Sequence, residues 1–204
     1  MKNYLLLSLI SLCLVPGLRA EWKPAGDKIK TPWAEKINPE NVLPEYPRPI
    51  MERSEWMNLN GEWNYAIRPK GEEQPEKMDG TILVPFAVES ALSGVQKTVG
   101  EENELWYSRN FTLKSGWSGK KILLHFGAVD WKTDVWVNGI KVGTHTGGYT
   151  PFFFDVTAAL KSGQNKLSVR VWDPTDKGSQ PRGKQVSKSR TIWYTPVTGI
   201  WQTV

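Results

Sequence analysis

The sequence predicts an all-β fold, an antiparallel jelly-roll β-sandwich, and three observations carry that expectation. From Ser54 onward apolar residues recur with a period of two rather than 3.6. The 204 residues include 18 Gly and 14 Pro, which cut the apolar runs into short segments bounded by turn signals. Eleven Trp in a chain that is 39% hydrophobic favour strands over a helical bundle. That apolar fraction is enough for one core and excludes a disordered chain. The length suits one domain with an arm and excludes a (β/α)₈ barrel, which takes about 250 residues.

Residues 1–20 read as a secretion signal. Lys2 gives a basic start, Tyr4 to Val15 is an apolar run, Pro16-Gly17 breaks it, and Leu18-Arg19-Ala20 suits cleavage. The run is too short to span a bilayer, so no membrane span is expected and the chain is expected to be secreted or periplasmic. Removing the leader takes Lys2, Arg19 and the single Cys, Cys13, so the net charge falls from +5 to +3. A mature domain without cysteine must be held by its core alone. The remaining excess of positive charge sits in Lys177 to Arg190, which has five bases and no acid. That segment lacks interleaved aromatics, so it reads as a solvated or substrate-facing loop and no nucleic-acid partner is expected.

Residues 21–52 read as a Pro-rich extended arm. Six prolines between Pro24 and Pro49 forbid a long helix or a central strand, while Trp22, Trp33, Val42, Leu43 and Tyr46 supply anchors. Residues 53–204 then form the domain. Trp63, Tyr65 and Ile67 share one face of a strand over Glu62–Arg68, and Thr81–Val84 is a short strand ended by Pro85. Leu105–Leu113 is a longer strand with imperfect alternation, followed by one around Ile122, Leu124 and Phe126. Val135–Val137 runs into Asn138-Gly139, the strongest short hairpin signal, so Ile140–Thr146 returns antiparallel. Phe152–Phe154 is a further strand, Val156–Leu160 a one-turn helix, and Leu167–Trp172 a strand. The segment beginning at Ile200 is one more and still reads as strand at Val204, so the chain is expected to be a piece of a longer protein.

No phosphate-binding loop, dinucleotide fingerprint, CxxC, HExxH or Gly-x-Ser-x-Gly elbow occurs. His125 and His145 lie far apart on strands and suit structural roles, so no metal site and no cofactor are expected. Glu101, Glu102 and Glu104 read as a solvated turn rather than an acid–base pair. Trp193-Tyr194, between the basic loop and Pro196, can stack on the apolar C–H face of a sugar or fill the core, and both readings stand.

An ordered set of segments resembles the N-terminal sugar-binding domain of glycoside hydrolase family 2, the β-galactosidase and β-glucuronidase family. The set includes Asn58-Leu59-Asn60-Gly61-Glu62-Trp63, Leu105-Trp106-Tyr107-Ser108-Arg109, Gly127-Ala128-Val129-Asp130 and Val135-Trp136-Val137-Asn138-Gly139. Gly147-Gly148-Tyr149, Phe154-Asp155-Val156-Thr157, Asn165-Lys166-Leu167 and Gly199-Ile200-Trp201 complete it. The resemblance implies a galactose-binding-like jelly roll. In complete members an immunoglobulin-like sandwich and a TIM barrel with both catalytic glutamates follow, so no catalytic residue is expected here. It further implies a glycoside or oligosaccharide ligand and the downstream barrel as a partner within the same polypeptide. In the family an Asp stands six residues before the Gly of the Gly-Ile-aromatic motif, where this chain has Trp193. An Asn two residues after a Val-Pro strand end is replaced by Ala87, with Glu89 placed to supply a carboxylate from the same loop. The sugar-contacting residues so implied are Glu89, Trp193 and Tyr194. The competing reading is a free-standing carbohydrate-binding module.

Overall fold

In the computed structural model, which describes residues 21–27 and 29–204, the period-two runs fold as strands. They are β1 (Gly61–Pro69), β2 (Gly80–Val84), β3 (Asn103–Thr112), β4 (Leu123–Phe126), β5 (Val129–Asp130), β6 (Lys132–Val137), β7 (Ile140–Thr146), β8 (Phe152–Asp155), β9 (Gln164–Trp172) and β10 (Gly199–Ile200). The expected leader, residues 1–20, lies outside the described residues. One layer is a six-stranded sheet in the order β2-β1-β3-β9-β6-β7, and the pairs β10-β5 and β4-β8 form the other. Every pairing of these strands is antiparallel.

The core lies between the layers. Trp63, Leu105, Tyr107, Val135, Val137, Leu167, Val169 and Val171 face it from the large sheet, and Leu124, Phe126, Val129 and Ile200 from the opposite side. The expected hairpin forms at Asn138-Gly139, where φ values of 53° and 83° supply the two left-handed positions a type I′ turn requires. The expected one-turn helix is a shorter 3-10 turn, Thr157–Ala159. It starts where the Asp155 carboxylate accepts the Thr157 N–H at 3.1 Å, and local side-chain bonding of this kind favours a turn over a continued helix.

Imperfect alternation in β3 has a physical cause. Leu105 and Tyr107 point into the core, while Glu104, Trp106 and Ser108 on the other face are also buried. The connection after β1 folds across that face, and Gln74 Nε2 donates to Ser168 Oγ on β9 at 2.9 Å. Trp106 stacks on Trp136 with centroids 5.4 Å apart, and the Arg170 guanidinium lies over both rings. Burial pulls the Asp134 carboxyl up, but bonds from Lys141, Thr144 and Arg170 outweigh it and hold the group at about 2.

The arm packs along the domain through polar clasps. Asn58 Nδ2 donates to Leu43 O at 2.8 Å, and Ala25 N–H donates to Ala91 O at 2.8 Å. Asn60 Nδ2 donates to Val42 O and to Thr203 Oγ1, and its Oδ1 accepts the Val204 N–H at 3.1 Å. Short 3-10 turns at Pro32–Lys36 and Pro49–Met51 begin at their prolines, whose fixed φ suits a first helical position.

Candidate functional site

At one edge of the sandwich four chain segments converge, each delivered by the end of a strand. The turn after β2 carries Glu89, β5 ends in Asp130, β9 is followed at once by Asp173, and Thr198 precedes β10. All three acids are 2–3% exposed. Thr198 links two of them: its N–H donates to Glu89 Oε2 at 2.9 Å and its hydroxyl to Asp173 Oδ2 at 2.8 Å. Asp173 also accepts from the Thr175 N–H at 2.7 Å. Gln185 Nε2 donates to Asp130 Oδ2 at 3.2 Å, and Gln185 Oε1 accepts the Val197 N–H at 2.6 Å.

No ion pair reaches Glu89, Asp130 or Asp173 among the described residues. Asp134, by contrast, is held by two cations. The difference governs their acidity. Burial, with a smaller contribution from the Asp173 charge, pushes the Glu89 carboxyl up to about 7 against the pull of the Thr198 bonds. Burial and then Asp173 likewise raise Asp130 to about 7, and Asp173 itself is raised by burial. Buried acids left without a compensating cation mark a candidate functional site. Glu89 Oε1 has no hydrogen-bond partner, so one carboxyl oxygen is left with capacity to bond. Among the described residues no group of three or more His, Cys, Asp or Glu is arranged to hold a metal ion.

The loop over this network carries the aromatic pair. Trp193 is 37% exposed and Tyr194 61% exposed, so the core reading of the pair is set aside. The loop is pinned at Tyr194, whose N–H donates to Lys184 O and whose carbonyl accepts the Val186 N–H. Val197 and Thr198 then join it to Gln185 and Glu89. The chain segment bearing Trp193 and Tyr194 is thus tied to the Glu89 carboxyl through Thr198. Glu89 itself lies beneath Thr198 rather than at the surface. Tyr149 joins the network at Gln185, half-exposed, with its hydroxyl accepting from Gln185 Nε2 at 3.3 Å and its ring edge-on to Trp201. Gly148 abuts the Asp130 carboxylate so closely that any Cβ there would collide with it.

The fold around this edge has relatives. Residues 86–181 match the family described as glycosyl hydrolases family 2, sugar binding domain. These residues form a family 2 sugar-binding domain. Its relatives include a β-glucuronidase of Paenibacillus borealis, 26% identical over 146 residues that cover 68% of this chain and 24% of that protein. A β-galactosidase of Thermoanaerobacter pseudethanolicus is 41% identical over 83 residues, covering 40% of this chain and 11% of that protein. Among solved structures, a β-glucuronidase from Ruminococcus gnavus in complex with C6-substituted uronic isofagomine matches the fold. Its TM-score is 0.51 at 24% identity, over 63% of this chain and 23% of that one. The family 2 domain and its flanks therefore span about a quarter or less of the length of these relatives.

Sequence reasoning singled out Glu89, Trp193 and Tyr194. It did not assemble Asp130, Gln185 and Thr198 into the same network. Asp130 lay in a motif, Gly127-Ala128-Val129-Asp130, but nothing local signals that its partner is 55 positions away.

Proposed function

We propose that this chain is the non-catalytic, sugar-binding part of an exported glycoside hydrolase that cleaves O-glycosyl bonds with retention, as part of carbohydrate metabolism. The family 2 match over the segment that holds Glu89, Asp130 and Asp173 carries the reading. The names of the relatives point to a β-glucuronide or β-galactoside as the ligand class. Retaining hydrolysis needs two carboxyl groups about 5–5.5 Å apart across the scissile bond. In this reading those groups belong to a barrel in the same polypeptide. The leader-like residues 1–20 support export.

Within the domain the division of labour follows from chemistry. Trp193 and Tyr194 offer apolar ring faces to the C–H face of a sugar. Glu89 carries a carboxyl that titrates near neutrality, so it can donate to or accept from a hydroxyl once Thr198 gives way. Two measurements test this. The 204-residue chain should turn over no chromogenic aryl glycoside, and glucuronic acid or galactose should perturb the Trp193 and Tyr194 ring resonances. Turnover that survives repurification and disappears in Glu89→Gln would overturn the non-catalytic assignment. Ring resonances that stay put across both sugar titrations would remove the sugar-binding one.

A further inference from the structure

The basic tract at residues 177–190 takes no part in the division of labour above. Elsewhere in residues 21–204 acids slightly outnumber bases, so this tract alone makes the domain cationic. Four of its five bases are exposed, and Arg182 is half-buried. Arg182 lies 3.9 Å from the Asp176 carboxylate, which also accepts from Ser187 Oγ. Lys177, Lys184, Lys188 and Arg190 are in no ion pair among the described residues.

The tract is folded back on itself rather than trailing into solvent. Ser187 ties it to Asp176, and Gln185 N–H donates to Arg182 O at 3.2 Å. Tyr194 N–H donates to Lys184 O at 2.8 Å and Val186 N–H to Tyr194 O at 3.0 Å, so Gln185 and Tyr194 lie side by side in a parallel bridge. Trp193 N–H closes a turn onto Arg190 O at 2.9 Å. Gln185, in the same segment, is buried and reaches Asp130 and Val197. The cations therefore stand on a frame whose backbone is ordered before any ligand arrives, and binding need not order it.

The same frame holds apolar surface. Ile192, Trp193 and Tyr194 are consecutive, and they are 62%, 37% and 61% exposed. The Lys184 ammonium stands 5.8 Å from the centroid of the Tyr194 ring, and Arg190 opens the turn that carries Trp193. An aromatic face with a cation at its margin suits a sugar whose ring bears an anionic group. The C–H face lies on the aromatic ring and the charge meets the cation. A neutral sugar would leave the four unpaired bases unused, and a small inorganic anion would leave the three apolar side chains uncovered.

We infer that residues 177–194 form a binding surface for an acidic glycan, one whose sugars carry carboxylate or sulfate groups. Trp193 and Tyr194 lie under its sugar rings, and Lys184, Lys188 and Arg190 meet its anionic groups. The inference rests on the sugar-binding reading of the two aromatics. That reading favours a glycan over single-stranded nucleic acid, the other polymer that offers both flat faces and charge.

The test measures binding of the 204-residue chain to three oligosaccharides of equal length by calorimetry: an oligogalacturonate, a sulfated galactan and an uncharged galactan. It is run at pH 6, below the value of about 7 to which Glu89 and Asp130 are raised, so that those acids add little opposing charge. One of the acidic oligomers should bind roughly tenfold tighter than the neutral one, and salt should shrink the preference. Whichever of the two binds tighter separates carboxylate from sulfate as the group recognised. Lys184→Gln with Lys188→Gln should lower that preference roughly fivefold. Lys161→Gln with Lys166→Gln removes the same charge from exposed positions around the start of β9, the opposite end from Asp173, and should leave it intact. Trp193→Ala should weaken acidic and neutral oligomers alike. The inference fails if acidic oligomers bind no tighter than the neutral one, even where galactose or glucuronic acid shifts the Trp193 and Tyr194 resonances and so upholds the sugar-binding reading. It fails as well if both lysine pairs matter equally, which would reduce the effect to net charge, or if a single-stranded oligonucleotide of matched charge binds as tightly as the better glycan. Acidic binding that is indifferent to Trp193→Ala would instead remove the reading on which it rests.

Discussion

Glu89 shows how a single buried carboxyl sets a pH profile. Unfolded, it ionises in the ordinary carboxylate range, whereas the folded domain holds its proton until about 7. Between those values the folded state binds more protons than the unfolded one, so stability falls as pH rises and levels off above about 7. Below the ordinary carboxylate range the group is protonated in both states and adds no penalty. Asp130 acts with the same sign. Urea melts should therefore give a less stable chain at pH 8 than at pH 5. Glu89→Gln, which cannot ionise, should recover part of that difference, on the order of a few kcal/mol. An unchanged gap between the two pH values in the variant would show that Glu89 is charged in the folded state. Glu89 was visible in the sequence through its spacing from Val84-Pro85. Its acidity was not, because burial is decided by Thr198, 109 positions later.

Among the elements, β9 is the hinge of the design, paired with β3 on one side and β6 on the other. Val169 sits at its centre, fully buried and in register with Tyr107 and Val135. Val169→Asp would place an unpaired charge among apolar neighbours at a cost of several kcal/mol, against total stabilities of about 5–15 kcal/mol. The variant should be unfolded at room temperature by circular dichroism. A melting point within a couple of degrees of the parent would contradict the placement of this strand. Elements such as β9 and the β6–β7 hairpin were legible because Leu167–Trp172 displays a period of two and Asn138-Gly139 names its own turn. The two-residue strand β5 was not, since no period can be read from two positions, and the strand expected from Ile200 onward is found only at Gly199–Ile200. Buried Trp106 and Ser108 blurred the alternation of β3 for a related reason: the cover over that face comes from Gln74, and cover is a tertiary fact.

At the scale of the whole molecule, period two throughout and the absence of long helical patterns were enough to predict a sandwich. The sheet order was not available, because strand neighbours such as β3 and β9 are set by pairing across the fold rather than by adjacency. The same non-local wiring makes Asn60 important beyond its size. One side chain joins the arm at Val42, the start of β1 and the last two residues, Thr203 and Val204. Deleting residues 201–204 should free the arm, and limited proteolysis should then cut between Val42 and Arg53 faster than in the parent. Equal cleavage rates would mean that the arm is held without the clasp. There is a temporal side to this arrangement. During synthesis the arm and β1 emerge first, yet the residues that fasten them together are the last of these 204 to be made. Until then Leu59, Trp63 and the arm's apolar anchors have no finished surface to lie against. For the export proposed above that interval would be useful, since a segment that cannot close early stays extended enough to be threaded across a membrane.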